Sequence, residues 1–253
     1  MSTSIILKTI IYRETKRFLN VYNQTLIAPA INALLFFTIF TVIFSQRQSI
    51  VLNYEIFVAS GLIVMSMMQN AYANTQSTMT TAKVLGFAVD TIIPPIPKII
   101  LLIGFISGGL IRGLLVGTII LILFAFLAKF HIQHPFILIF YSIFACTLFS
   151  LLGVIVGSIS KNFDSSVSYN TYLITPITML SCTFYSIKML PEFWQKVTLF
   201  NPIFYIVDSF RFAIIGTSNS PFNVVTQMIF LISWILILGL IAYHLLKTKY
   251  HEM

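Results

Sequence analysis

This chain has little charge. Only 9% of its 253 residues are Asp, Glu, Lys or Arg, against about a quarter in an ordinary soluble domain. Residues 18–46, 56–82, 130–160, 165–187 and 212–246 contain none at all. Each gap holds the roughly 20 apolar residues that a bilayer-crossing helix needs. Cysteine is nearly absent too. Cys146 and Cys182 sit in separate apolar runs without CxxC or Cys/His spacing, which argues against a disulfide framework or a thiolate metal site and leaves two buried structural thiols. The four histidines form no HExxH pattern; His131 and His134, beside Pro135, read as interfacial rather than metal-binding. No GxxxxGK[ST] phosphate loop occurs, and the glycine-rich "GFISGGLIRG" lies in an apolar run where no nucleotide can be cradled. These absences predict neither an enzyme nor a metal or cofactor held by this chain.

What remains is apolar surface: 58% hydrophobic residues, 24 of them Phe, and a mean hydropathy of +0.94. Backbone groups in hydrocarbon must be satisfied within a helix or a closed barrel, and runs of this length predict an all-α integral membrane protein forming one domain over residues 1–253. The net charge of +8 does not point to nucleic acid, because the basic residues are scattered at the ends of apolar runs as membrane topology requires.

Six spans are expected, at about 27–46, 56–78, within 100–128, 135–159, 167–187 and 222–246. Before them, residues 4–19 place Ile6, Leu7, Ile10, Ile11 and Phe18 largely opposite Lys8, Arg13, Lys16 and Arg17, an amphipathic helix suited to the headgroup layer. Its early charges predict no cleavable leader. With an even number of spans both termini share a side. That side carries Lys8, Arg13, Lys16, Arg17, Lys83, Lys98, Lys161, Lys247 and Lys249, and the other carries Arg47, Lys129, Lys188, Lys196 and Arg211; nine against five makes the termini cytoplasmic.

Two segments between spans are neither long nor apolar enough to cross. "TTAKVLGFAVDTIIPPIPK" mixes Lys83, Gly86 and Asp90 with three closing prolines and reads as a short cytoplasmic helix. "MLPEFWQKVTLFNPIFYIVDSFRFAII" on the outer side is broken by Pro191 and Pro202, and half-membrane helices of this kind are tolerated only when buried in protein or facing a wet cavity. Asp208 and Arg211, three apart on one face, are expected to satisfy each other there and lock the hairpin. Arg112 is the one charge inside a span, where it either snorkels to the headgroups or lines a pathway. Gly109, Gly113 and Gly117, with Gly153 and Gly157, permit close helix approach, here expected within one chain.

This layout, with "YRETKRFLNVYNQTLIAPAINALLFFTIF", "YEIFVASGLIVM", "KVLGFAVDTIIPPIPK...GGLIRGLLVG" and "LPEFWQKVTLFNPIFYIVDSFR", resembles the permease subunits of type-2 ABC exporters over essentially the whole chain. The resemblance implies an export permease subunit of the bacterial inner membrane, working as a homodimer with two separate ATP-binding subunits that carry the ATP and Mg. It implies that residues 80–97, including Lys83, Gly86 and Asp90, form the coupling helix. It also implies that the re-entrant hairpin of 189–215, including Asn201, Pro202, Tyr205, Asp208 and Arg211, shapes the exit. The alternative class is a partner-independent channel or secondary carrier, which would call for carboxylates or histidines embedded in the spans.

Overall fold

Prolines set the helix starts. In the computed structural model, which describes residues 3–45, 54–86, 96–216, 218 and 220–248, proline stands at the N-cap or in the first turn of four helices that begin from non-helical chain, where its missing N–H costs nothing. Helix α1 spans Thr3–Leu19, and α2 spans Ala28–Ser45 with Pro29 in its first turn. Helix α3 is Tyr54–Val84, α4 is Lys98–Ala128 capped by Pro97, and α5 is Pro135–Ile159. Three short helices follow, α6 (Phe163–Tyr169), α7 (Thr175–Met179) and α8 (Glu192–Leu199), the last capped by Pro191. Helix α9, Pro202–Ile215, and α10, Val224–Thr248, complete an architecture without a strand among the described residues.

Five of these helical stretches, Asn23–Ile43, α3, α4, α5 and α10, are long and apolar enough to cross a membrane. The expected fifth span at 167–187 takes a different form. The chain is helical only from Phe163 to Met179, and a π turn at Asn170–Ile174 joins α6 to α7; this is shorter than the roughly 20 residues a straight span needs. A second π turn, Asn23–Ile27, leads into α2. Both sit two residues ahead of a proline, Pro29 and Pro176. A proline ring collides with the carbonyl four residues back, here Thr25 and Tyr172, and widening the turn to an i−5 bond moves that carbonyl aside. The N–H groups of Ala28 and Thr175 accordingly donate to the carbonyls of Asn23 and Asn170.

Helix α3 is the centre of the bundle. Its most apolar window is 72% buried, whereas those of the first and last spans are 11% and 17% buried, so the latter two offer their apolar faces outward. Helices α4 and α5 close on α3 through glycine. A Cβ on Gly113 would stand 2.7 Å from Cys146 Sγ and 2.9 Å from the Met67 carbonyl, and one on Gly157 would stand 2.6 Å from Met79 Cβ. The small-residue spacing thus serves contacts within this chain, made to side chains and to backbone carbonyls of the neighbouring helix. Helix α1 lies against α4 in the same manner: Ile10 faces Gly104, Glu14 faces Gly108, and Ile10, Glu14 and Phe18 are the buried residues of α1.

Candidate functional site: a polar seam along α3

Helix α3 carries a stripe of neutral polar residues, Asn70, Asn74, Ser77 and Thr78, at helical spacing through an otherwise apolar bundle. Glu14 of α1 meets that stripe. Its carboxylate accepts from Thr78 Oγ1 at 2.6 Å and pairs with Arg17 at 3.3 Å and Arg13 at 3.4 Å. Arg17 also donates to the carbonyl of Asn74 at 2.8 Å, to Asn74 Oδ1 at 3.2 Å and to Ser77 Oγ at 3.3 Å. The first helix is therefore held to the central one by charge-assisted bonds, roughly twice as strong as neutral ones. Further along the stripe, Arg112 of α4 donates to Asn70 Oδ1 at 3.0 Å. By helix rise Arg112 lies about 20 Å from Lys98, and its side chain lines a cavity.

At the far end of α3, Lys83 reaches the C-terminus of α5. Its Nζ donates to the carbonyl of Ser160 at 3.1 Å and to that of Ser158, which neutralises the negative end of the α5 dipole. Gly86 closes the turn that ends α3: its N–H donates to the Lys83 carbonyl at 3.2 Å, and its φ of +76° is left-handed backbone that favours glycine. Lys83 belongs to the last turn of the long helix, so the segment expected at 80–97 begins as a continuation of α3. Asp90 lies outside the described residues.

The "LFNPIFYIVDSFR" stretch forms a corner. Helices α8 and α9 meet at 89°, because Asn201 caps α9 by accepting from the Ile203 N–H at 3.0 Å while Pro202 fixes the first turn. The Asn201 amide also donates to the Ile177 carbonyl at 2.9 Å, and the Tyr205 hydroxyl donates to the Leu199 carbonyl at 2.7 Å. Asp208 and Arg211 are both buried, but each has its own hydrogen-bonding set. The Asp208 carboxylate accepts from Ser218 Oγ at 2.6 Å and the Ser220 N–H at 3.0 Å. Arg211 donates to the carbonyls of Cys182 and Thr183 at 3.2 and 3.1 Å, and its guanidinium lies 3.5 Å from the centroid of the Phe57 ring. Their opposite charges still attract. Instead of closing only on each other, the two side chains tie α9 to the loop after it, to the 180s segment and to α3. Replacing Arg211 with Met should leave two buried carbonyls unpaired and cost about 2–3 kcal/mol of stability, read as a lowered melting temperature in detergent. Lys at this position should recover only part, since a point charge cannot span both carbonyls and the ring.

His134 stacks on Phe212 at 5.1 Å, and the Gln133 and His134 N–H groups donate to the Ala213 carbonyl at 3.0 and 2.9 Å, so this pair fastens the α4–α5 loop to α9. No group of three potential metal ligands exists among the described residues. Glu14, Asn70, Asn74 and Thr78 were not singled out from sequence. The signal was present in "QNAYANTQSTMTTAK", a polar run inside a span, which counting only formal charges passes over.

An all-helical, multi-pass bundle with a polar seam through its central helix is the build of a membrane transport protein. The family model of the ABC-2 type transporter matches residues 6–215, and the chain belongs to that family. It is 34% identical over 242 residues to the inner membrane transport permease YadH of Escherichia coli K12, covering 92% of this chain and 94% of that one. Nodulation protein J of Sinorhizobium fredii is 22% identical over 161 residues, 62% of this chain and 61% of its own length. The same protein of Rhizobium leguminosarum bv. viciae matches at 29% over 68 residues, 27% of this chain and 26% of that one.

Proposed function

We propose that this chain is the permease subunit of an ATP-driven exporter in a bacterial inner membrane, acting as a homodimer with two ABC ATP-binding subunits. Residues 80–97 couple to the ATPase, α1 lies in the cytoplasmic headgroup layer with both termini on that side, and 189–215 forms a re-entrant hairpin at the outer exit. The observation that carries the reading is the continuity of α3 with the coupling segment. Force applied just beyond Gly86 enters the most buried of the five candidate spans directly, and the Lys83 clasp passes it to the end of α5. The inner membrane assignment follows the name of the Escherichia coli relative. A partner can shift the permease between states only by binding them differently, and a coupling segment fused to the central helix presents a different surface whenever that helix moves.

The carrier alternative needs a carboxylate free to exchange ions within the path. Glu14 is engaged by Arg17, Arg13 and Thr78, and Asp208 by Ser218 and Ser220, so neither favours it.

Purification with the product of an adjacent ATPase gene, followed by ATP turnover in proteoliposomes with and without this chain, tests the reading. A two-plus-two complex with permease-dependent turnover is expected; a chain that purifies alone and stimulates no ATPase would overturn it. Gly86→Val should insert normally and lower stimulated turnover several-fold. No side chain of the described residues stands within 4 Å of a Cβ built there, so the penalty is the left-handed φ imposed on a β-branched residue.

A further inference from the structure

Between the α1 end, the first π turn, α3, α4 and the α6–α7 stretch lies a cavity of about 600 Å³, a size typical of sites that take small ligands. Its wall carries two guanidinium groups, Arg17 and Arg112, with the neutral amides of Gln69, Asn70, Gln76 and Asn170. No carboxylate lines it among the described residues. Glu14 answers Arg17 but is not part of the wall. Arg112 has no carboxylate partner among the described residues, and its bond goes to the neutral Asn70 amide. Its Nε is buried without an acceptor, and the Tyr72 hydroxyl in the same wall is buried with no hydrogen-bond partner. The positive charge of Arg17 acts against that of Arg112.

Two like charges on one cavity, with unspent donors beside them, cost free energy inside a helical bundle unless an anion enters. A guanidinium is shaped to take phosphate or carboxylate oxygens on its fork. Phe18, Val21, Ala28, Pro29 and Ile174 share the wall and give an apolar chain somewhere to lie. We propose that this cavity binds the anionic head group, phosphate or carboxylate, of an amphiphile drawn from the cytoplasmic leaflet, with Arg112 and Arg17 as the recognising groups. The proposal deepens the export reading by naming the cargo's chemical class, and it rests on that reading for the direction of passage.

Native mass spectrometry of the full chain tests it. The protein is released from micelles holding equal amounts of phosphatidylglycerol, phosphatidylcholine and dodecyl phosphate. Anionic adducts should outnumber phosphatidylcholine adducts about tenfold, fall about tenfold in Arg112→Gln, and return only in part in Arg112→Lys, which keeps the charge but not the fork. Retention of phosphatidylglycerol would identify a two-chain membrane lipid as the source of the head group, and retention of dodecyl phosphate a single-chain anion; either supports the site. Equal uptake of anionic and zwitterionic amphiphiles would overturn it, as would unchanged anionic adducts in an Arg112→Gln protein that elutes and melts like the wild type. If Arg112→Gln fails to fold, an Asn70→Ala protein replaces it: loss of the amide that orients Arg112 should weaken anionic adducts several-fold, and no change would count against the site. Since no ATPase is present, failure here leaves the coupling assignment untouched, and failure of ATPase stimulation leaves the head-group site standing.

Discussion

Gly153→Leu should not yield a folded protein. Helices α3 and α5 approach so closely at this point that a Cβ on Gly153 would stand 2.5 Å from the Tyr72 carbonyl and 3.1 Å from the Gln76 nitrogen, and would collide with Thr75 Oγ1. Two of those atoms are backbone of the most buried helix and cannot turn away. Thr75 cannot simply rotate either, because its hydroxyl donates across the seam to the Ser150 carbonyl at 3.0 Å. Overpacking a core by a few methylenes commonly costs about 1–3 kcal/mol; four added carbons against an immovable backbone exceed that, in a chain whose total stability is on the order of 10 kcal/mol. Fluorescence-detected gel filtration should show aggregate in place of a single peak, and the Ala variant should survive with a clearly lower melting temperature. Gly239 in α10 supplies the control, since nothing among the described residues lies within 4 Å of a Cβ built there and Ala should be neutral or gain up to about 1 kcal/mol of helix propensity. A monodisperse Gly153→Leu protein that melts like the wild type would mean that α3 and α5 do not meet at Gly153.

The spans were legible because charge-free length is a one-dimensional property. The ends of α4, α5 and α10 fall within a few residues of expectation, and Pro97 and Pro135 mark two of those starts in the letters themselves. The fifth expected span is helical over only part of its length. Hydropathy over 167–187 counts apolar residues but is blind to Pro176, whose ring opens a π turn. The Asp208–Arg211 spacing showed correctly that the two residues share a face, but spacing within a helix does not reveal which carbonyls from the 180s segment or which ring of α3 will lie opposite. The polar seam was hidden for the same reason. Glu14 looks like a surface residue of a basic helix until Gly108 lets α1 close on α4 and brings its carboxylate to Thr78.

Lys83→Met should leave a permease that folds and inserts but transports at least about tenfold more slowly. The lysine is not there mainly for stability. A cation on the last carbonyls of a helix contributes roughly 0.3–1 kcal/mol near a surface, and its aliphatic stem survives in Met, so melting should move little. What the substitution removes is the link from the end of α3 to the end of α5, formed by Nζ on the Ser160 and Ser158 carbonyls. Without it, displacement of the segment beyond Gly86 still reaches α3, but the ends of α3 and α5 are no longer tied, and α5 is engaged only further along, by packing and by the Thr75–Ser150 hydrogen bond. Helix α5 carries Gly153 and Gly157 against α3 and holds α9 through the loop that precedes it, so under the proposed coupling it would carry a push on the segment beyond Gly86 to the α8–α9 corner. ATP turnover by the complex should therefore persist while transport per ATP falls, and Lys83→Arg, which keeps both the charge and the reach, should restore most of it. Transport by Lys83→Met at the wild-type ratio to ATP hydrolysed would mean that α5 receives its motion by another path, and the clasp would then be only a helix cap.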